Sequence, residues 1–328
     1  MADSLKSLHM AERLGEKEGR PRVVILLGPT GAGKSRLALE GAEELGGEII
    51  SADSMQVYRH MDIGTAKPAS DDQKRVKHHL IDLVEPDQPF HAALYRTLGR
   101  KTIQELHLNK TPIWVVGGTG LYIKTLSEGI FSSPKIDPSI RENLKNEAER
   151  KGTGILYERL VKGDPKTASS LHPNDLFRIV RALEVLDSTG IPISFYREQH
   201  RFGERPYMTL KIGLQLNRDL LYRRIDERVD QMLKRGLVRE IEGLLEMGYG
   251  PGLKPMQSLG YKQIVQYLLK GIELDEAVQQ IKRETHHYAK RQLTWFKADP
   301  QIQWRDGLAD RKKIFHEVRS FWEREGKA

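Results

Sequence analysis

The stretch "VVILLGPTGAGKSRLALE", Val23 to Glu40, constrains the fold more than any other part of this 328-residue chain. Val23 to Leu27 is an unbroken apolar run, which suits a strand buried on both faces of a parallel sheet. Gly28, Pro29, Thr30, Gly31, Ala32 and Gly33 follow as a loop whose glycines let backbone N–H groups turn inward, and Lys34 and Ser35 complete a Gly-x4-Gly-Lys-Ser spacing. Leu37, Ala38, Gly41, Ala42 and Leu45 then recur at helical spacing until Gly46 and Gly47 end the helix. Strand, glycine loop and helix in that order predict a phosphate-binding loop. Its amides and the positive helix end face phosphate oxygens, Lys34 adds a cation, and the Ser35 hydroxyl can ligate Mg²⁺. The motif fixes a phosphate site and leaves the reaction open.

Apolar runs at Glu48–Ala52 and Pro112–Val116, with a helical pattern over Tyr95–Leu108 between them, extend the alternation of strand and helix. Beyond Ser132 two prolines and a charged helical segment open a stretch without strands. "MTLKIGLQL", Met208 to Leu216, then returns to the sheet, and the chain from Arg218 onward reads as mostly helical. The expected architecture is α/β. A P-loop NTPase-like parallel sheet flanked by helices (21–131 and 206–328) carries an all-helical insertion at 132–205, after a charged lead-in at 1–20.

Composition narrows the setting. No cysteine is present, which excludes disulfides, thiolate metal sites and cysteine nucleophiles. No apolar run approaches the ~20 residues of a membrane span, and the first residues lack a signal-peptide core, so a cytoplasmic protein without a membrane partner is expected. The net charge of +8 is compatible with a polyanionic partner such as nucleic acid and equally with an ordinary basic enzyme.

A phosphate loop usually works with an acidic residue at the end of a second strand. Here "PIWVVGGTGLY" ends in glycines and Thr119 without a carboxylate, whereas Asp53 in "EIISADSMQVY" follows the strand next in sequence. Asp53 therefore points to the acceptor side of an active-site mouth, with a helix-capping role as the alternative. In "NRDLLYRRIDERVDQML" the residues Ile225, Val229, Met232 and Leu233 form an inward stripe, and Arg224 and Arg228 share a neighbouring face, either toward a phosphate or bridging to Asp226 or Asp230. A late basic helix sets Arg283, His287, Lys290 and Arg291 on one side. His286 and His287 are adjacent and point different ways, against a two-histidine metal site.

The segments "GPTGAGKS", "SADSMQVYRHMDIGTAKP", "HHLIDL", "VGGTGLYIK", "HPNDLFRIVRALEV", "QSLGYKQ" and "KRQLTWF" resemble, in order and spacing, the bacterial tRNA dimethylallyltransferases, also called tRNA isopentenyltransferases. The match runs from about Val23 to Phe296. Serine stands where the family loop often has threonine, which keeps the hydroxyl, and a chain without cysteine cannot build the cysteine-ligated zinc finger of eukaryotic relatives.

The resemblance implies transfer of the dimethylallyl group from dimethylallyl diphosphate to N6 of adenosine 37, beside the tRNA anticodon, with Mg²⁺ and release of pyrophosphate. It makes Asp53 the base, Arg228 (with Arg224 beside it) the diphosphate-contacting arginine, and Thr119 a lining of the reaction channel. Thr119 could cap the helix after it as well, and both roles could hold together. For tRNA it implies contacts from Asp53, Ser54, Met55, Thr119, which meets the target nucleotide, and Gln56, the last suited to an adenine edge. Arg141 in the insertion, Phe177, Arg178, Ile179, Val180 and Arg181 in "FRIVR", and Gln257, Ser258, Leu259, Gly260, Tyr261 and Lys262 in "QSLGYK" are implied likewise. Arg178 and Arg181 read on their own as a charged helix face. A monomer is expected. The other readings are a P-loop small-molecule kinase and a nucleic-acid-binding NTPase, both of which require triphosphate turnover.

Overall fold

The computed structural model describes residues 19–130, 136–200 and 203–323. The expected lead-in, apart from its last two residues, and the expected start of the insertion at 132 lie outside these. The chain divides into two compact units, Met1–Ser127 with Arg205–Ala328, and Glu128–Glu204.

The first unit is built on a six-stranded, fully parallel sheet. Its strands are β1 (Arg22–Leu27), β2 (Glu48–Ser51), β3 (His78–His79), β4 (Ile113–Gly117), β5 (Met208–Gln215) and β6 (Gln303–Asp306), in the spatial order β3-β2-β4-β1-β5-β6. The unbroken apolar run of β1 has its cause in this central place. Val23, Ile25 and Leu27 enter one core with α3 (Ala92–Leu108) and α4 (Gly120–Glu128), while Val24 and Leu26 enter another with α1 (Lys34–Leu45) and α14 (Arg311–Glu323). β3 and β6 were not expected: each is a short edge strand without an apolar run, and Ile212↔Gln303 pairing places β6 where the sequence reads as loop between helices. The sheet is completed by α2 (Ser70–Arg75), α10 (Arg218–Lys234), α11 (Leu237–Glu246), α12 (Tyr261–Lys270) and α13 (Leu274–Lys297). α3 starts three residues before the expected Tyr95, because His91 caps it, its Nδ1 accepting the Leu94 N–H.

The second unit is all-helical: α5 (Pro138–Lys151), α6 (Thr153–Gly163), α7 (Pro165–Ala168), α8 (Leu176–Thr189) and α9 (Ile193–His200), around Leu144, Leu156, Leu160, Ile179 and Leu183. Buried Asp164 ties three of its helices, accepting from the Thr167 N–H and hydroxyl and from the Ser194 N–H, and these bonds hold its carboxyl below the usual range against the opposing effect of burial.

Candidate active site

The carboxyl ends of β1, β2 and β4 lie side by side, Leu27 opposite Gly117 and Ser51 opposite Val116, and the segments leaving them carry the chemistry. Gly28 leaves β1 with φ +139°, and a Cβ there would stand 2.5 Å from the Leu214 carbonyl oxygen, so no side chain fits. The loop rests on α10: beneath Gly31 lie Ile225 and Leu221, and the Arg224 guanidinium comes close to Gly33.

At the start of α1 the Lys34 ammonium curls back to donate to the Pro29 carbonyl at 2.7 Å. Withdrawal from water, and then the Arg228 charge, push its pKa down to about 7, with Asp53 opposing. A diphosphate seated in the loop would restore the ammonium. Lys34 binds its proton more weakly folded than unfolded, so on its account the free protein gains stability as pH rises from about 7 toward 10.5. For the same reason pyrophosphate binding above about pH 7 must take up a proton and weaken as pH rises. Calorimetry of inorganic pyrophosphate at pH 8 in two buffers of different ionisation enthalpy should show this uptake in the wild type and its loss in Lys34→Met. The ligand's own titration is common to both proteins, and equal uptake would refute the assignment.

Asp53 sits just beyond β2. Its Oδ1 accepts from the Met55 N–H at 2.8 Å and the Gln56 N–H at 3.4 Å, a local turn that fixes the carboxylate, while Oδ2 has no hydrogen-bond partner among the described residues. The neighbouring Ser54 N–H is held by Thr119 Oγ1 at 3.0 Å, and the Thr119 N–H is held by the Ala52 carbonyl at 3.1 Å. Asp53 thus serves its own turn with one oxygen and presents the other.

Asp53 lines a cavity of about 360 Å³ whose polar lining also includes Thr30, Ser54, Arg228, Thr285 and Tyr288, and whose apolar lining includes Met55, Ile225, Val229, Met232, Leu237 and Ile281. Arg228 makes no hydrogen bond or ion pair among the described residues. Burial pulls its guanidinium down and the Asp53 charge holds it up. Burial, with Asp53 next, pushes the Tyr288 hydroxyl up to about 12. The α10 stripe is as expected at Ile225 and Val229, with Met232 and Leu233 half-buried. The alternative in which the arginines bridge Asp226 or Asp230 gives way: Asp226 stands 2.9 Å from His286 Nε2 and Asp230 pairs with Lys282 at 2.7 Å, and among the described residues neither meets an arginine of α10.

Other expected site residues fall into three groups. Ser258, Leu259, Gly260 and Tyr261 line the same cavity, although Tyr261 is buried with its hydroxyl given to Glu240. Gln257 and Lys262 are exposed, Gln257 donating to the Pro251 carbonyl. Gln56 does not offer an amide to a base in this arrangement: its Oε1 accepts from Ser51 and its Nε2 donates to the Thr65 and Ala66 carbonyls. Thr119 is not among the cavity-lining residues, and its hydroxyl is engaged with Ser54.

In the second unit Phe177 is 78% exposed and Arg178 pairs with Asp175, whereas Ile179 and Val180 are core residues of α8. That is a correction to the reading of "FRIVR" as a contact throughout, since helical spacing turns those two inward. Arg141 and Arg181 converge on buried Glu184, at 2.8 and 3.0 Å. Of the basic helix, Arg291 lines the cavity with its guanidinium over the Tyr288 ring, while Arg283, His287 and Lys290 are exposed.

Two residues were missed. Buried Gln292 of α13 accepts the Thr30 N–H at Oε1 and donates from Nε2 to the Gly118 carbonyl, both at 2.9 Å. Glu240 of α11 gathers the N–H groups of Asp62, Ile63 and Gly64 together with the Tyr261 hydroxyl, and so fixes the "MDIGTAKP" loop, whose Gly64 and Thr65 line the cavity. Gln292 lies inside "KRQLTWF", a segment the sequence singles out without a role for it.

A parallel sheet with a phosphate-binding loop between its central strand and the following helix defines a P-loop NTPase-like protein whose usual acid after the far strand is missing. Family comparison is more specific. Residues 56–299 match the IPP transferase model and residues 21–85 the isopentenyl transferase model, and the chain belongs to the IPP transferase family. It is 53% identical over 285 residues to tRNA dimethylallyltransferase 2 of Syntrophus aciditrophicus, covering 87% of this chain and 92% of that one. It is 50% identical over 302 residues to tRNA dimethylallyltransferase of Desulfosudis oleivorans, covering 92% and 96%. Among solved structures it is similar to the tRNA isopentenylpyrophosphate transferase of Bacillus halodurans, with a TM-score of 0.69, 36% identity, and 93% and 97% of the two chains covered. A eukaryotic dimethylallyltransferase acting on tRNA gives a TM-score of 0.79 at 27% identity, covering 93% and 80%.

Proposed function

We propose that this chain transfers the dimethylallyl group of dimethylallyl diphosphate to N6 of adenosine 37, beside the anticodon of tRNA, releasing pyrophosphate. The observation that carries the reading is the cavity in which the unpartnered Arg228 guanidinium and the open oxygen of Asp53 meet the phosphate loop. A kinase or NTPase reading finds no carboxylate after β4 to hold its metal, and the names of the relatives favour the transferase.

The diphosphate lies against the amides of Gly31 and Gly33, since Pro29 has no N–H and those of Thr30 and Ala32 are given to Gln292 and the Pro29 carbonyl, with Lys34 and Arg228 as cations and Arg224 near Gly33. The Ser35 hydroxyl is exposed at the first turn of α1 and has no partner among the described residues, and no cluster of three or more acidic or histidine groups stands among them. That donor set fits a Mg²⁺ held mainly by diphosphate and water oxygens with Ser35 as the protein ligand. Mg²⁺ there would neutralise charge on the leaving group.

The N6 of a flipped-out adenine attacks C1 of the prenyl chain. The new C–N bond forms as the C–O bond breaks, the electron pair leaves with pyrophosphate, and Asp53 Oδ2 takes the N6 proton. The loop, Lys34 and Arg228 stabilise the charge developing on pyrophosphate. Exposed Phe177 and Arg178 offer a base-stacking and phosphate-binding face for RNA. The reading takes the enzyme as a monomer acting on tRNA in the cytoplasm, and among the described residues no helix is long and apolar enough to cross a membrane.

Incubating the purified protein with Mg²⁺, dimethylallyl diphosphate and unmodified tRNA, then digesting the RNA, should yield N6-dimethylallyladenosine. ATP turnover without this product would overturn the reading.

A further inference from the structure

The geometry points to Gln292 as the positioning residue that sets the diphosphate cradle and the acceptor-side base in register, an inference that rests on the transferase reading. The two halves of the site come from strand ends with independent loops: Thr30 belongs to the phosphate loop after β1, and Asp53 to the turn after β2. A continuous path of close contacts joins them. The Thr30 N–H donates to Gln292 Oε1, Gln292 Nε2 donates to the Gly118 carbonyl, Thr119 Oγ1 accepts the Ser54 N–H, and Ser54 is next to Asp53.

Gln292 is the only member of this path drawn from a helix on neither loop, and both ends of its amide are used. A primary amide suits the place because one end must accept and the other donate. The Gly118 side is shaped to receive it, since a Cβ at Gly118 would stand 2.2 Å from Nε2. Buried Ala289, one turn earlier on α13, packs against Leu221 and Ile225 of α10, the helix under the loop, so Gln292 cannot drift along the helix face. Gln292 is not among the residues lining the cavity; it acts through the loops that are and through Tyr288, a lining residue of its own helix whose hydroxyl its side chain hydrogen-bonds.

If Gln292 sets register, each substrate still finds its own half-site while the reacting atoms lose alignment. For Gln292→Met, kcat for tRNA prenylation should fall about 100-fold while the KM of each substrate moves by less than about threefold, the signature of lost alignment. Gln292→Glu keeps the Thr30 contact but sets a carboxylate oxygen against the Gly118 carbonyl. Only its protonated form can donate there, and burial favours that form. Its activity relative to wild type should therefore rise as pH is lowered from 8 to 6, whereas a merely structural defect gives a pH-independent ratio.

Gly118→Ala attacks the same contact from the other side and should lower kcat in the wild-type background but add little in Gln292→Ala, where the clashing amide is gone. Wild-type prenylation of tRNA is measured first, and its absence would remove the transferase reading itself. With the wild type active, a raised KM for dimethylallyl diphosphate at unchanged kcat, a flat pH ratio for Gln292→Glu, or additive effects of the Gly118 and Gln292 changes would each overturn the register role.

Discussion

Replacing Asp53 with asparagine will cut the rate of prenyl transfer by about 10²–10⁴-fold, the span that a positioned general base supplies, while leaving the fold and tRNA affinity close to wild type. The substitution isolates the base. Asparagine keeps an oxygen where Asp53 Oδ1 accepts the Met55 and Gln56 N–H groups, so the turn after β2 survives, and only the proton-accepting oxygen Oδ2 is exchanged for an amide that cannot take a proton. Electrostatics supply a second readout. Asp53 raises the Lys34 pKa, so its neutralisation should move the proton uptake on pyrophosphate binding to lower pH. Single-turnover transfer, thermal melting and tRNA binding on the same preparations check the prediction. Transfer near the wild-type rate would remove Asp53 as the base.

What the sequence made legible was local or periodic. The phosphate loop, its strand and its helix occupy adjacent residues, and the four interior strands announce themselves by apolar density because each is covered on both faces. The edge strands β3 and β6 need little apolar cover and left no such mark. Asp53 was legible as a carboxylate after a strand, but not which of its oxygens the turn would use. Ile179 and Val180 were legible as core from spacing and were assigned to RNA through the motif that contains them. Gln292 and Glu240 were hidden for a different reason: their backbone partners lie 174 to 262 residues away, and nothing local to a glutamine or glutamate says which backbone groups the fold will bring to it. Gln56 shows the converse, a side chain suited by chemistry to a base edge and committed by the fold to Ser51, Thr65 and Ala66.

Arg228→Met separates a functional cation from a structural one by sending stability and catalysis in opposite directions. In the free protein the Arg228 side chain is half-buried without a hydrogen bond or ion pair among the described residues, so its charge is a cost offset only in part by Asp53. Methionine fills similar volume on α10 without that charge, and the melting temperature should hold or rise. With dimethylallyl diphosphate present the same charge faces the leaving group. Its loss should then lower kcat/KM by about 10²–10³-fold, as for removal of one preorganised electrostatic donor, and weaken pyrophosphate binding with tRNA affinity little changed. Lysine at 228 should recover part of the loss, since it restores the charge without the planar fork. A strut role predicts the reverse, a fall in melting temperature with catalysis per folded molecule intact. Because Asp226 and Asp230 lie against His286 and Lys282, the two acids that helical spacing offered Arg228 do not make it such a strut.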